Sequence, residues 1–273
     1  MNLSVIVPVG NVEAWRECEK SLYDSIQACQ LNAEIEVLPC FDVCHKGVFV
    51  PRNEGLNRAK GEWIAWVDCD DVVELNWAQV IVSAIRNHPD VDIIQINLTE
   101  EFRGKCRKVN YKYSGLVQAE TFAMEMLRGA GMPAWLVTRI MKRSLIGNNR
   151  FTLKVFEDYD LFLSILPRVR KVWAVNEHIY RYKRNESGLS SYNERLDFHL
   201  VGQTLENHIL ALPRLWRNEA RKGLALMMAD VSRHSKHSFA VWPYVAKGLF
   251  CILGDPDISL RLKVKTILAV LCL

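Results

Sequence analysis

The segment Trp63-Ile64-Ala65-Trp66-Val67-Asp68-Cys69-Asp70-Asp71 joins a run of apolar residues to three closely spaced acids. The apolar run predicts a short buried strand. Ligands of open α/β sheets bind just outside the carboxyl ends of the strands, so we expect these acids to border a site. Neighbouring carboxylates repel one another, and Mg²⁺ or Mn²⁺ would relieve that repulsion while also binding phosphate oxygens. The alternative is that Asp70 or Asp71 caps a following helix.

Strands and helices alternate on both sides of this segment. Runs of apolar residues predict further strands at Leu3–Val9, Glu34–Leu38 and Val91–Leu98. Apolar residues at helical spacing predict helices over 12–30, about 53–60 and 74–87. This alternation indicates an α/β fold, with a mostly parallel sheet flanked by helices.

The pattern changes after residue 98. We expect a hairpin within 102–117, a helix at 118–128, and strands at 134–141 and 171–183. From about residue 193 the chain is predicted to be helical, with breaks near Gly223 and at Gly254-Asp255-Pro256. The predicted organisation is a domain of residues 1–192, with halves of about 1–100 and 101–192, followed by a helical C-terminal extension, 193–273.

Composition restricts the classes of protein. The 273 residues are 49% hydrophobic and 24% charged, which excludes long disorder and coiled-coil rods. With 35 basic and 31 acidic residues, the net charge of +4 argues against a partner that is nucleic acid. The eight scattered cysteines form no Cys-x-x-Cys pair and are interpreted as reduced thiols. Without a signal-peptide pattern or a long apolar span, we expect a cytoplasmic chain that does not cross a bilayer.

Arg52 opens a second stretch of interest, Arg52-Asn53-Glu54-Gly55, at the start of a predicted helix. A guanidinium near a helix N-terminus suits a diphosphate. The alternative is a surface ion pair with Glu54 or a neighbour. The chain has neither a Gly-x-Gly-x-x-Gly motif nor a Walker A motif, so a dinucleotide cofactor and P-loop chemistry are poorly supported.

Taken in order, these stretches and three others resemble the family 2 glycosyltransferases. The likeness covers roughly residues 3–192. The matching segments are Val5–Asn11, Arg52–Gly55, Ala59–Ile64, Asp68–Asp71, Phe156–Phe162, and Ile179–Tyr182 with the Ser-rich stretch Ser187–Ser191. The resemblance implies a GT-A fold, in which a nucleotide-binding, mostly parallel sheet flanked by helices (the nucleotide-sugar half, about 1–100) is merged with an acceptor half (about 101–192). It also implies an inverting transfer of a sugar from a nucleotide diphosphate sugar to an acceptor hydroxyl.

The resemblance also implies roles for individual residues. Nucleotide-sugar-binding positions would be Pro8, Asn11, Asp42, Arg52, Asn53 and Asp68, with Asp70 coordinating Mg²⁺ or Mn²⁺. Asp158 would be the catalytic base and Glu157 its neighbour. Two departures stand out: Gly10 replaces the family's usual Tyr, and Phe41-Asp42-Val43-Cys44 replaces Asp-Asp-Gly-Ser. These departures do not identify the nucleobase, and UDP is taken as the default nucleotide.

The chemistry of such a transfer asks for carboxylates in two places. One set holds the metal that stabilises the leaving diphosphate, and the other takes the proton of the acceptor hydroxyl. Asp68 and Asp70 are candidates for the first, and Glu157 and Asp158 for the second. The alternative for the second set is that its acids, with Asp160, simply favour the first turn of a helix.

Aromatic side chains have two possible roles. Trp63 and Trp66 alternate within a strand and are expected in the core. Trp135 is either a floor for the acceptor or a packing residue.

The C-terminal segment 258–273 carries Arg261, Lys263 and Lys265 and no acid after residue 257. As a helix, it either lies on an anionic membrane surface or packs on the domain. Membrane contact would suit a glycan or lipid-linked acceptor in surface polysaccharide or glycolipid assembly. Two other functions stay open: a non-catalytic module that binds sugar nucleotides or glycans, and a nucleotidyltransferase. The latter normally has a Gly-rich basic loop after the first strand, which residues 10–13 lack.

Overall fold

The computed structural model describes residues 2–128, 135–184, 196–234, 238–256 and 258–271. The first half contains β1 (Leu3–Val9), α1 (Val12–Ala28), β2 (Ile35–Phe41), α2 (Phe49–Arg58) and β3 (Trp63–Trp66). The central strand β1 is buried along its whole length and runs parallel to β2 on one side and β3 on the other. The carboxyl ends of all three strands therefore meet at one edge of the sheet.

The remainder of the sheet region contains both strands and helices. In chain order its elements are β4 (Val72–Val73), α3 (Trp77–Asn87), β5 (Ile93–Phe102), β6 (Lys105–Val109), β7 (Gly115–Gln118), α4 (Ala119–Arg128), β8 (Arg139–Lys142), α5 (Arg143–Ile146), α6 (Glu157–Ile165) and β9 (Lys171–Lys183). Among the described residues, the strands form one sheet in the order β2-β1-β3-β8-β5-β9-β4, with β6 paired to β5 and β7 to β9. The predicted α/β class is confirmed.

The sheet departs from simple alternation at its centre. Strand β8 lies between β3 and β5 and is antiparallel to both, whereas β5 and β9 are parallel. The strand predicted at 134–141 begins only at Arg139, because Thr138 bonds back to the Trp135 carbonyl through its backbone N–H (3.1 Å) and its hydroxyl (2.8 Å). Those bonds close a 3₁₀ turn over Leu136–Thr138.

The C-terminal region is helical, as predicted, with α7 (Phe198–Ala211), α8 (Arg214–His234), α9 (Ser238–Leu253) and α10 (Leu260–Leu271). The break at residues 254–256 is confirmed. The predicted break near Gly223 is wrong, since Gly223 lies inside α8. A Cβ there would lie 2.2 Å from the Leu127 carbonyl oxygen, so glycine lets α8 cross closely over α4. The domain boundary predicted at residue 192 lies outside the described residues.

Candidate active site

The ends of β1, β2 and β3 gather several predicted site residues at one edge. The Asp42 N–H donates to the Val9 carbonyl (3.0 Å), and the Val67 N–H donates to the Ile6 carbonyl (3.1 Å). These bonds extend the pairing just beyond the strands, so the loop after β1, the loop after β2 and the acids after β3 lie side by side. This is the edge where open α/β sheets bind ligands.

Arg52 is the centre of this site. Its side chain is only 4% exposed and forms ion pairs with three carboxylates. Nη1 donates to Glu157 Oε1 at 2.6 Å and to Asp158 Oδ1 at 2.8 Å, while Nη2 donates to Asp68 Oδ1 at 3.1 Å. One guanidinium thus joins the acids after β3 to the acids that begin α6.

The position of Arg52 depends on a close packing of α2 against the sheet. A Cβ on Gly55 would lie 2.3 Å from Cγ2 of Ile6, a residue of β1, so a larger residue there would push the helix outward. The surface pair with Glu54 that the sequence left open is wrong for Arg52, because Glu54 pairs with Arg58 at 2.9 Å. The sequence predicted Arg52 near a diphosphate, whereas the structure places it among carboxylates.

Burial and charge act in opposite directions on these groups. Burial would lower the pKa of Arg52, but the charges of Asp158, Asp68 and Glu157 outweigh it and raise that pKa. Burial together with the Asp158 charge raises the pKa of Glu157 to about 7, although Arg52 opposes the shift. The pKa of Asp158 is also raised, mainly by burial. The titrations of the two neighbouring acids are therefore linked, since the charge of one raises the pKa of the other.

The backbone before α6 and the turn before β8 orient Asp158. Phe156 has φ 56°, a left-handed conformation that is unusual for a bulky residue, and α6 begins directly after it. Asp158 Oδ2 accepts the Leu136 N–H at 3.1 Å. The carbonyl of the same peptide unit, on Trp135, accepts Nη1 of the fully buried Arg139 at 2.7 Å. Sequence reasoning missed these supports because they rest on backbone groups and on a left-handed residue.

The three acids after β3 have separate environments. Asp71 is buried, and it accepts the Tyr180 hydroxyl (2.6 Å) and the Lys183 N–H (2.7 Å). Tyr180 Oη also accepts the Asp68 N–H at 3.1 Å. Asp68 turns toward Arg52, and Asp70 is exposed. The helix-cap alternative is wrong, because β4 follows these acids and α3 begins only at Trp77.

Three of the other predicted nucleotide-binding residues make hydrogen bonds to backbone N–H or carbonyl groups. Pro8 is buried in β1. Asn11 caps α1 by accepting the Glu13 and Ala14 N–H groups. Both Asp42 carboxylate oxygens accept backbone N–H groups, from Lys46 (2.9 Å) and Gly47 (2.8 Å). Asn53 exchanges two hydrogen bonds with the backbone of Phe151. Their roles toward a nucleotide stay predictions.

The three tryptophans considered in the sequence differ in burial. Trp63 and Trp66 are each 1% exposed, so their predicted place in the core is confirmed. Trp135 is half-buried, with its ring centroid 5.5 Å from that of Tyr182. That exposure leaves it available as a wall of the site. The Ser-rich stretch Ser187–Ser191 lies outside the described residues.

A divalent cation fits the chemistry of this edge. The described residues contain no preformed cluster of three or more acidic, histidine or cysteine ligands. Mg²⁺, however, usually takes one or two carboxylates and completes its coordination with substrate phosphates and water. The exposed Asp70, with Asp68 two residues before it, supplies that kind of donor set.

Comparison with known proteins agrees with this fold. The family described as glycosyl transferase family 2 matches residues 43–141, which include Arg52 and the acids after β3. The crystal structure of residues 1–349 of S. aureus TarS in complex with UDP-GlcNAc is similar over 98% of this chain and 87% of its own, with a TM-score of 0.71 at 15% identity. Glucosyl-3-phosphoglycerate synthase from Mycobacterium tuberculosis, in complex with Mn²⁺, UDP and glucosyl-3-phosphoglycerate, is similar over 78% of this chain and 81% of its own, with a TM-score of 0.51 at 14% identity.

Two curated proteins are similar in sequence. The minor teichoic acid biosynthesis protein GgaB of Bacillus subtilis is 26% identical over 70% of this chain, and glycosyltransferase GlyA of Streptococcus pneumoniae is 24% identical over 86%. The chain spans 24% and 40% of their respective lengths. The resemblance stated from the motifs is confirmed: residues 43–141 match glycosyl transferase family 2, and the chain has the predicted GT-A fold.

Proposed function

We propose that the chain is a metal-dependent, inverting glycosyltransferase. It moves a sugar from a nucleotide diphosphate sugar, by default a UDP-sugar, to an acceptor hydroxyl in surface polysaccharide or glycolipid assembly. We call the edge formed by the loops after β1 and β2 and the acids after β3 the donor edge. One observation carries the proposal: the buried Arg52 guanidinium holds Asp68, a carboxylate of the donor edge, beside the acids that begin α6. The UDP-GlcNAc and UDP complexes of its structural neighbours support the choice of donor.

In this proposal, Asp158 is the base. The acceptor oxygen attacks the anomeric carbon, the bond from that carbon to the diphosphate breaks, and the hydroxyl proton passes to Asp158. Asp158 is better suited than Glu157 because 24% of its side chain is exposed, against 14% for Glu157. The Arg52 charge opposes the rise that burial causes in the pKa of Asp158. The Arg52 bond to Oδ1 and the Leu136 bond to Oδ2 fix the carboxylate plane.

The donor edge serves the leaving group. Asp70, with Asp68, would hold a divalent cation that stabilises negative charge on the leaving diphosphate. Asp42 orders the loop after β2, next to the expected nucleoside position.

A donor screen tests the proposed function. Thermal unfolding of the purified chain is followed with UDP-, GDP-, dTDP- and CMP-sugars, each with and without Mn²⁺. A ligand that binds only the folded state raises the midpoint temperature of unfolding. At one hundred times its Kd, it stabilises the folded state by about 2.7 kcal/mol. We expect UDP-sugars with Mn²⁺ to raise it most. No shift with any sugar nucleotide would contradict the proposal.

The altered motif after β2 favours a second candidate function. Phe41-Asp42-Val43-Cys44 has one acid and no glycine, and both Asp42 oxygens already accept loop N–H groups. A non-catalytic module that binds sugar nucleotides or glycans would retain the fold without turnover. Stabilisation by UDP and Mn²⁺ without any release of UDP from UDP-sugars would favour that module.

Replacing Asp70 with Ala is expected to remove the part of UDP-sugar stabilisation that depends on Mn²⁺, together with donor hydrolysis and transfer. The reason is that the change deletes a hard oxygen ligand from the donor edge. The measurement is the midpoint shift by UDP across a Mn²⁺ titration. Asp90→Ala is the matched control, because Asp90 is an exposed acid paired with Lys171 away from this edge. An unchanged Mn²⁺ response in Asp70→Ala would remove Asp70 from the metal site.

Peripheral membrane contact belongs to the same proposal. No helix within the described residues is long and apolar enough to span a bilayer. The helix α10 packs on α8 and α9, and Thr266 is buried, but Leu260 is 76% and Val264 44% exposed beside the exposed Arg261. An exposed apolar edge next to cations suits an anionic lipid surface. We expect the chain to co-sediment with phosphatidylglycerol vesicles and the Leu260→Ser variant to lose this binding. Equal sedimentation with phosphatidylcholine vesicles or none at all would contradict it.

A further inference from the structure

A cavity lies in the C-terminal region, between α7, α8 and α9. Its volume of about 670 Å³ falls within the roughly 300–1,000 Å³ of small-molecule sites. One face of α7 contributes Gln203, Glu206 and Asn207. The side of α7 toward α6 carries His208, whose Nδ1 lies 2.8 Å from Asp160 Oδ1. The cavity is therefore separate from the Arg52 site, on another side of α7.

The wall of the cavity is built by a tight contact between two helices. The Tyr244 hydroxyl, on α9, donates to the His199 carbonyl of α7 at 3.0 Å. A Cβ on Gly202 would lie 2.2 Å from the Tyr244 ring, so glycine is what lets the ring lie against α7. The ring and Leu210 give the cavity an apolar side that suits the C–H face of a sugar.

Glu206 is the most informative residue in the cavity. It is only 7% exposed. Its Oε1 accepts Arg221 Nε (3.3 Å) and Nη2 (3.1 Å), and Lys247 Nζ lies 3.7 Å away. Its Oε2 is buried and has no hydrogen-bond partner within the described part of the chain. A buried acceptor without a partner destabilises the protein, and a hydroxyl donor from a ligand would remove that cost.

The charges of the lining favour a ligand that is also anionic. Arg221 and Lys247 supply two cations against the single carboxylate of Glu206, which leaves a positive excess. Lys247 is half-exposed, with its ammonium within reach of a bound anion. Gln203 and Asn207 are exposed amides that can both donate to and accept from hydroxyls.

We propose that this cavity is a non-catalytic binding site for a phosphorylated sugar or polyol. A hydroxyl of the ligand donates to Glu206 Oε2, and its phosphate pairs with Arg221 and Lys247. Neighbouring hydroxyls bond to the amides of Gln203 and Asn207. The inference does not depend on glycosyl transfer at the Arg52 site, so either one can fail alone.

The test uses glucose 6-phosphate as the probe, with glucose and inorganic phosphate as separate arms. The full chain, labelled with ¹⁵N, is titrated by NMR to about 10 mM, enough to occupy a site with a Kd near 1 mM. We expect the side-chain amide signals of Gln203 and Asn207 to shift with glucose 6-phosphate. Each half of the probe alone should bind at least tenfold more weakly. Saturating UDP should leave the binding unchanged.

Variants assign the binding to named residues. Glu206→Gln and Arg221→Gln should each weaken binding at least tenfold. Arg214→Gln should not, because Arg214 is an exposed cation of α8, the helix of Arg221, and does not line the cavity. Should a variant fail to fold, the shifts of the wild-type amide signals decide alone. Absence of those shifts would overturn the proposal, and so would displacement of the probe by UDP. Equal affinity for inorganic phosphate would also overturn it, because the site would then bind an adventitious ion only.

Discussion

Replacing Arg52 with Ala is expected to lower the free energy of unfolding by about 3–5 kcal/mol and to abolish transfer, because it leaves buried acids without their cation. The guanidinium is 4% exposed and is shared by Asp68, Glu157 and Asp158, at distances of 2.6 to 3.1 Å. Without it, the mutual repulsion of these acids would favour protonation of Asp158, the proposed base. Urea unfolding and sugar transfer, measured on the same preparation, check both effects.

Arg58→Ala is the matched control for Arg52→Ala. Arg58 lies on the same helix and also pairs with a carboxylate, but both partners of the Arg58–Glu54 pair are almost half-exposed. Exposed pairs contribute about 0–1 kcal/mol, so this variant should remain close to wild type in stability and transfer. Arg52→Lys should recover only part of the loss, since an ammonium lacks the fork that binds several carboxylates. Equal losses in the Arg52 and Arg58 variants would contradict the assignment.

Replacing Asp158 with Asn is expected to slow transfer by about 10²–10⁴-fold, the usual contribution of a general base. Donor binding should be retained, because Asp70 and the donor edge are untouched and an Asn oxygen still accepts from Arg52. Turnover is measured beside the midpoint shift that UDP and Mn²⁺ produce. Unchanged turnover would refute the assignment of Asp158 as base, and loss of the donor-induced shift would show that the variant damages the donor edge instead.

Glu157→Gln tests how the charge of Glu157 affects the pKa of the proposed base, Asp158. The pKa of Glu157 is raised to about 7 by burial and by the Asp158 charge. As pH falls through about 7, the coupled pair takes up one proton, and the rate should fall to the extent that this proton resides on Asp158. Glu157→Gln removes the neighbouring charge, so the pKa of Asp158 should decrease and the acid limb of the pH–rate profile should move to lower pH. A limb that stays in place would show that another group controls it.

Local sequence signals predicted the elements that surround the site. A strand is indicated by a few consecutive apolar residues, as at Leu3–Val9 and Trp63–Val67, and both strands lie where this pattern predicted them. The acids after residue 67 lie in the loop that follows, as predicted. The insertion of β8 between β3 and β5 was not predictable in this way, because pairing between distant segments leaves no local periodicity. Gly223 is a second example. A glycine in a helical segment suggested a break, whereas the structure shows that glycine is needed there for the close contact with Leu127.

The candidate site was predicted residue by residue but not as an assembly. Arg52 and Glu157 lie 105 positions apart in sequence, and their 2.6 Å contact depends on α2 and α6 reaching the same edge. The sequence predicted two carboxylate sets in separate places, and the structure brings them onto one guanidinium. Tyr180 was named only for its resemblance to a family strand, yet it bridges Asp71 to the backbone of Asp68.

Release of nucleoside diphosphate from sugar nucleotides tests the central proposal most directly. The full chain is incubated with UDP-GlcNAc and the other donors of the screen in the presence of Mn²⁺, and free nucleotide is quantified over time. The proposal predicts release by the wild-type chain from at least one donor that it binds. It also predicts loss of that release in Arg52→Ala and Asp158→Asn at equal donor occupancy. Donor binding by the wild-type chain with no release, or release that both variants retain in full, would contradict it.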